Sequence, residues 1–391
     1  MYIFIYLYIY IFYVVYIYTG LLDSDLFFVI LYIYPIYIRY LMSFHVVTRI
    51  TRVDLPNLLP FMFHYLEHME VDSLFLLVMF SDPENYEYFV TRVSHPLLLK
   101  YRSKIKPIRV PESHLSMEPD HVLKSVIMEH ILSGPLVSSF HRHFKDSNDW
   151  LLSIDSDEYL YLHDGKNFKQ FLFSLPRVIT QVQIPWVMIE NTSLFSSSHP
   201  YHDIATLPWY KNRHVKSCSR IHNALRPLYS HYSTCHPQSK TWVSHQVIPT
   251  KQTAPYYDES TLSFDSMSPV LFHLHTGSLT TTLNKILYHN FAGKSDGSQK
   301  QLLHQALESR DPDRIRQLSK IQLVFHHTPS SHLLTKFPVP NLSYLTNLGG
   351  NHINYSKDIV FDVSKEKSLA TARIDIESYA WFLDTAFKIF A

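Results

Sequence analysis

Trp150-Leu-Leu-Ser-Ile-Asp155-Ser-Asp157-Glu158-Tyr-Leu-Tyr-Leu162 is a short apolar run, a knot of carboxylates and a second apolar run. Trp150 to Ile154 is long enough for one buried strand and, with no cap, too short for a helix. Asp155 and Asp157 are two apart, so on an extended backbone they point the same way. Two carboxylates at a strand end repel each other unless a cation lies between them. Hard oxygen donors of this kind suit Mg²⁺ or Mn²⁺, above all where phosphates complete the shell. The stretch predicts a metal–diphosphate site at the carboxyl end of a sheet strand, where open α/β sheets bind ligands. Asp23-Ser-Asp25 and Asp311-Pro-Asp313 share the spacing but follow no strand-like run. The second reads as a helix start with Pro in its first turn.

The whole chain sets the bounds. Its 391 residues hold one large domain or two, and the apolar fraction of 46% is enough for a sizeable core. A formal charge of +1 argues against a dedicated nucleic-acid binder. With 8 glycines, neither G-x-x-x-x-G-K nor G-x-G-x-x-G occurs. There are 25 histidines, but no H-E-x-x-H and no Cys/His zinc spacing. Cys218 and Cys235 are the only cysteines; they cannot build a zinc site unaided, and make one disulfide if the domain is lumenal.

Residues 1–42 differ in kind: two Tyr-, Ile- and Phe-rich apolar runs flank Asp23-Ser-Asp25. They read as a membrane anchor, as mistranslated low-complexity sequence with Met42 the true start, or as a buried apolar segment. As an anchor, Arg39, Arg49 and Arg52 on its carboxyl side would keep that side cytosolic, against a lumenal enzyme. From Phe44 strand runs alternate with helical ones. Strands are expected at Phe44–Ile50, Ser73–Phe80, Ile105–Val110 and Trp150–Ile154. Helices are expected after Pro56, around Tyr86–Val93, from Glu118 and at Phe168–Leu175. Val178–Ile184, Val215–Ile221, Trp242–Ile248 and Val270–His275 follow as short strand candidates, and Ser278 caps a further helix. The fold class is α/β, three-layered, with a mixed, mainly parallel central sheet. At least one of the strands at Val178 and Val270 is expected to enter it antiparallel. Residues 326–391 read as a loop-rich extension.

Several segments, in order, resemble the GT-A glycosyltransferases, closest to the family 2-like group and glycosyltransferase family 92. Asp155-Ser-Asp157-Glu158 resembles their metal motif. His45-Val-Val-Thr-Arg-Ile through His64 and Val71-Asp72 resembles the opening strand and helix. Gln183-Ile-Pro-Trp186, Lys216-Ser217 with Arg220, and Phe272-His273 with Ser278 and Lys285 resemble three later segments. The likeness spans roughly residues 44–295. Arg52-Val53 stands where the group carries Asn-Glu, only Asp82 remains of an acidic loop that holds the donor base, and Leu274 replaces an aromatic residue.

The resemblance implies a GT-A-like domain over about residues 44–325. It implies a nucleotide-sugar donor, by preference a UDP-sugar, a Mn²⁺ (or Mg²⁺) cofactor and a glycan or glycoconjugate acceptor. Asp155, Asp157 and His273 would hold the metal. Asp155, Lys216 and Arg220 would face the donor diphosphate. An inverting transfer also needs a carboxylate base; Glu190 and Asp203 are the candidates, and the sequence does not choose between them. Asn191-Thr-Ser193, Asn341-Leu-Ser343 and Asn354-Tyr-Ser356 are glycosylation triplets, which fits a Golgi or other secretory-pathway membrane protein. Two other classes compete: a non-catalytic or decayed glycosyltransferase-like membrane protein, and a metal-dependent hydrolase using the same carboxylates.

Overall fold

The computed structural model describes residues 42–80, 83–110, 149–162, 167–189, 209–221, 224–228, 233–235, 238–265 and 268–273, with five isolated positions between 305 and 314. The chain divides into two compact units, Met1–Ser43 and Phe44–Ala391. Residues 1–41, the helix expected from Glu118, the helix capped by Ser278, the three glycosylation triplets and residues 326–391 lie outside the described residues. Among the described residues no helix is long and apolar enough to cross a membrane.

The second unit is an α/β structure on a mixed sheet of ten strands. Its first half follows from the alternation of apolar strand runs and amphipathic helices. β1 (Phe44–Ile50), β2 (Ser73–Val78), β3 (Ile105–Arg109) and β4 (Trp150–Ile154) are all parallel, in spatial order β4-β1-β2-β3. β4 is buried at every residue, as suits a run that is apolar but for Ser153. Between β1 and β2 the chain makes a 3₁₀ segment at Arg52–Asn57, an α-helix at Leu58–Phe63 and a π turn at His64–His68. Leu58, Leu59, Phe61, Met62, Tyr65 and Leu66 face the core from these turns. Asp72 joins the layers: its carboxylate accepts from Phe44 N at 2.8 Å and pairs with Lys169 of the Phe168–Ser174 helix at 2.6 Å.

The second half departs from expectation in three places. Val178 and Val270 mark strands that run in the same sense as the first four: β6 (Ile179–Ile189) and β12 (Val270–His273) pair parallel. The reversed sense falls instead on β7 (Trp209–Arg220), which lies antiparallel between β6 and β4. β12 is antiparallel only to the short β5 (Glu158–Tyr161). β6 also does not stop at Ile184. It runs on through Pro185 and absorbs the missing proline N–H in a register shift between Pro185 and Val187. Finally, Trp242–Ile248 is a hairpin rather than one strand. β10 (Lys240–Val243) and β11 (Gln246–Pro249) meet at a two-residue turn in which Ser244 and His245 both take positive φ, 47° and 65°. Neither residue is a glycine, so the turn is held from outside: His245 Nε2 lies 2.9 Å from Asp265 Oδ2 and 2.8 Å from Ser268 Oγ.

β8 (Ala224–Leu228) and β9 (Ser233–Cys235) form a separate two-stranded ribbon. The disulfide that a lumenal domain would allow is not formed: Cys218 is a free thiol buried in β7. It pairs in register with Val182 of β6 and Leu152 of β4, inside the hydrophobic core. Burial pushes its pKa well up.

Candidate metal and diphosphate site

The site is made where β4 ends. Asp155, Ser156 and Asp157 form a tight turn between β4 and β5, closed when Asp155 N donates to Glu158 Oε2 at 2.8 Å and Glu158 N donates to Asp155 O at 3.2 Å. Asp54 fixes the turn from the side. Its Oδ2 accepts from Thr51 N and Oγ1, capping the first helical segment, while its Oδ1 accepts from Ser156 Oγ. β5 is then held on both edges. β12 takes one. On the other, Tyr65 Oη donates to Glu158 O at 2.9 Å and accepts from Leu160 N at 3.0 Å, and His64 Nε2 meets Leu160 O at 2.9 Å. Burial lowers the His64 pKa to about 3, so the ring is neutral and donates that Nε2 proton.

Pairing of β12 with β5 places His273 directly opposite Glu158, one residue from Asp157. His273 Nε2 lies 3.6 Å from Asp157 Oδ1, although more than a hundred residues separate the two in sequence. Both are largely buried, 5% and 8% exposed. The His273 ring packs edge-on to Trp186 at 4.4 Å, the residue that the β6 register shift carries.

Asp155 points elsewhere. Its Oδ1 lies 3.1 Å from Arg49 Nη2 at the end of β1, and its Oδ2 lies 2.7 Å from Lys216 Nζ of β7. Cys218 pairs with Leu152, so Lys216, two residues earlier on an antiparallel strand, comes level with the end of β4. Lys216 is 1% exposed and also lies 3.4 Å from Glu158 Oε2. Burial would raise the pKa of Asp155, but Lys216 and Arg49 outweigh it and hold the carboxyl far below its usual range. Burial would lower the pKa of Lys216, and the carboxylates, Asp155 foremost, outweigh that in turn. Glu158 goes the other way. Burial pushes its pKa well up, Asp155 and Asp157 add to the rise, and Lys216 offsets only part. The cluster therefore pulls its two carboxyls apart, holding Asp155 towards the ionised form and Glu158 towards the neutral one.

The expected set is thus brought together in part. Asp157 and His273 face each other. Asp155 and Lys216 are neighbours but are engaged with one another, and no three His, Cys, Asp or Glu side chains form a metal-ready group among the described residues. Arg220 is a correction. It pairs with Trp150 at the opposite end of β4, five residues from Asp155, roughly 16 Å along the strand. There its guanidinium sits 4.5 Å from the Trp150 ring and its Nε donates to Ile179 O at 2.9 Å. Burial lowers its pKa to about 10. Arg220 is a packing residue, out of reach of a phosphate at the other edge. Glu190 and Asp203 lie outside the described residues, as does Asp25. Asp311 accepts from Asp313 N at 2.9 Å, a local helix-start bond that leaves this second Asp-x-Asp with an ordinary structural use.

Arg49 and Asp54 escaped the sequence reading as site residues. Arg49 was legible in principle, since it ends a strand whose neighbour in an α/β sheet ends in Asp155. Nothing in the sequence signals the contact of Asp54 with Ser156, which depends on the path of the 3₁₀ segment. No family model and no curated protein matches the chain.

Proposed function

We propose that the chain is a metal-dependent glycosyltransferase with a GT-A-like fold. It would move a sugar from a nucleotide-sugar, a UDP-sugar by preference, to a hydroxyl of a glycan or glycoconjugate. The observation that carries the reading is the approach of His273 to Asp157 at the carboxyl edge of the parallel strands. The donor set fits a divalent cation. Cis ligands of an octahedral Mn²⁺ or Mg²⁺ stand about 3 Å apart when each is about 2.1 Å from the ion. A carboxylate oxygen and an imidazole nitrogen at 3.6 Å reach that spacing by a small movement. Diphosphate oxygens and water would supply the remaining positions. Held by Asp157 and His273, a cation would supply positive charge to offset that growing on the departing nucleoside diphosphate.

The chain's own residues do the rest. Tyr65, His64 and Asp54 fix the backbone that carries Asp157. Trp186 sets the plane of His273. Arg49 and Lys216, which share Asp155 in this structure, add positive potential on the diphosphate side. The compartment that goes with this reading is the secretory pathway. A second reading, a chain that keeps the fold but no longer transfers sugar, is favoured by the engagement of Asp155 with two cations. Calorimetric titration of the full-length chain with UDP separates the two. Transfer requires binding that strengthens at least ten-fold when Mn²⁺ replaces EDTA; no UDP binding in either condition leaves the decayed reading standing.

A further inference from the structure

An aromatic column runs outward from the site. His273 lies 4.4 Å from Trp186, Trp186 stacks on His214 at 5.2 Å and 27°, and His214 meets Tyr256 at 6.2 Å. Exposure rises along it, from 5% at His273 and 8% at Trp186 to 52% at Tyr256. An aromatic ring so open to solvent contributes little to the core and normally sits on mobile backbone. Here the backbone is pinned on both sides. Val215 N donates to Pro255 O at 3.2 Å, Tyr257 N donates to Arg213 O at 2.9 Å, and Tyr256 itself bridges to His214. The guanidinium of Arg213 stands 5.1 Å from the Tyr256 ring and is itself exposed.

We propose that Tyr256, His214 and Arg213 form the acceptor platform of this enzyme, taking a saccharide. The inference rests on the transferase reading above. The C–H faces of a pyranose carry positive edges that suit the electron-rich face of an aromatic ring, and Arg213 supplies fixed donors for the hydroxyls. Rigid backbone lowers the entropic cost of such a contact. The topology favours a saccharide over the donor's nucleobase. Arg49, on β1, lies on one side of β4, while the column lies along β7 and β6 on the other. A diphosphate held by Asp157 between Arg49 and Lys216 occupies the end of β4 and the inner, Trp186 end of the column, and leaves its exposed end at His214 and Tyr256 for the group that receives the sugar.

Chitotriose, N-acetyllactosamine and maltotriose serve as probes, with binding to the full-length chain read by saturation-transfer NMR and tryptophan fluorescence. At least one should bind. Tyr256→Ala should weaken it three- to ten-fold, while Tyr256→Phe stays within two-fold. UDP–Mn²⁺ affinity should be the same in all three proteins. Absence of binding by every probe, equal binding to Tyr256→Ala, or loss of UDP rather than saccharide affinity overturns the platform. Saccharide binding sensitive to Tyr256 in a chain that binds no UDP–Mn²⁺ upholds the platform and sinks the transferase reading alone.

Discussion

Replacing Lys216 with methionine removes the one fully buried cation of the site among the described residues. Its ammonium lies 2.7 Å from Asp155 and 3.4 Å from Glu158, both of which then lose a counter-charge. Breaking a buried pair by deleting one partner costs about 3–5 kcal/mol. Two features place this case at or below the low end. Asp155 keeps 37% side-chain exposure and its bond to Arg49, and burial already favours the neutral form of Glu158. We expect a loss of about 2–3 kcal/mol at pH 8, a fall in Tm of roughly 3–5 °C for a domain of about 280 residues. The pH dependence carries a sign. The folded-state pKa of Asp155 is depressed, so its pairing stabilises above the ordinary carboxylate range and is lost as pH falls through that lowered value. Without Lys216 the folded pKa of Asp155 and of Glu158 both rise, so the variant folds with more protons bound than the parent. Its deficit should therefore shrink as pH drops from 8 towards 4.5. Urea unfolding at several pH values measures this. A deficit below about 0.5 kcal/mol at pH 8, or one equal at pH 8 and 4.5, would refute the charge assignment.

Three further outcomes follow from the same contacts. Tyr65→Phe removes a buried hydroxyl that serves two backbone groups of β5 and should cost about 1–3 kcal/mol by denaturant midpoint, with fluorescence and circular dichroism agreeing. Arg220→Leu should lower stability while UDP–Mn²⁺ affinity, measured by calorimetry, stays within two-fold, because Arg220 lies at the far end of β4. Cys218 should resist maleimide in the native chain and label fully in urea without reductant, as peptide mass mapping would show.

The first half of the sheet was legible because β2 and β4 are mainly apolar runs and β1 is short and rich in β-branched residues, with amphipathic turns between, and such segments leave one consistent layout. The second half was less so. Pro185 looks like a strand end, yet a register shift lets β6 continue, and only tertiary pairing shows that. The turn at Ser244-His245 lacks the Asn-Gly signal because Asp265 and Ser268 stabilise it from twenty or so residues away. In the site, Asp157 was marked by its place after a buried strand and His273 by a resemblance. Their approach depends on β12 pairing with β5, a contact that no local pattern encodes. Arg220 misled because it was carried over with its motif: four residues from Lys216 on one strand, it lies roughly 13 Å further along, and the antiparallel sense of β7 puts Lys216 rather than Arg220 beside Asp155.

Pulsed electron paramagnetic resonance of Mn²⁺ bound with UDP tests the pairing of Asp157 and His273 most directly. The unaltered chain should show a nitrogen coupling to the metal. His273→Gln should abolish that coupling, and Asp157→Ala should weaken Mn²⁺ binding at least about ten-fold, whereas Asp313→Ala changes neither. A Mn²⁺–UDP complex with no nitrogen coupling, or a coupling that survives in His273→Gln, would contradict the account.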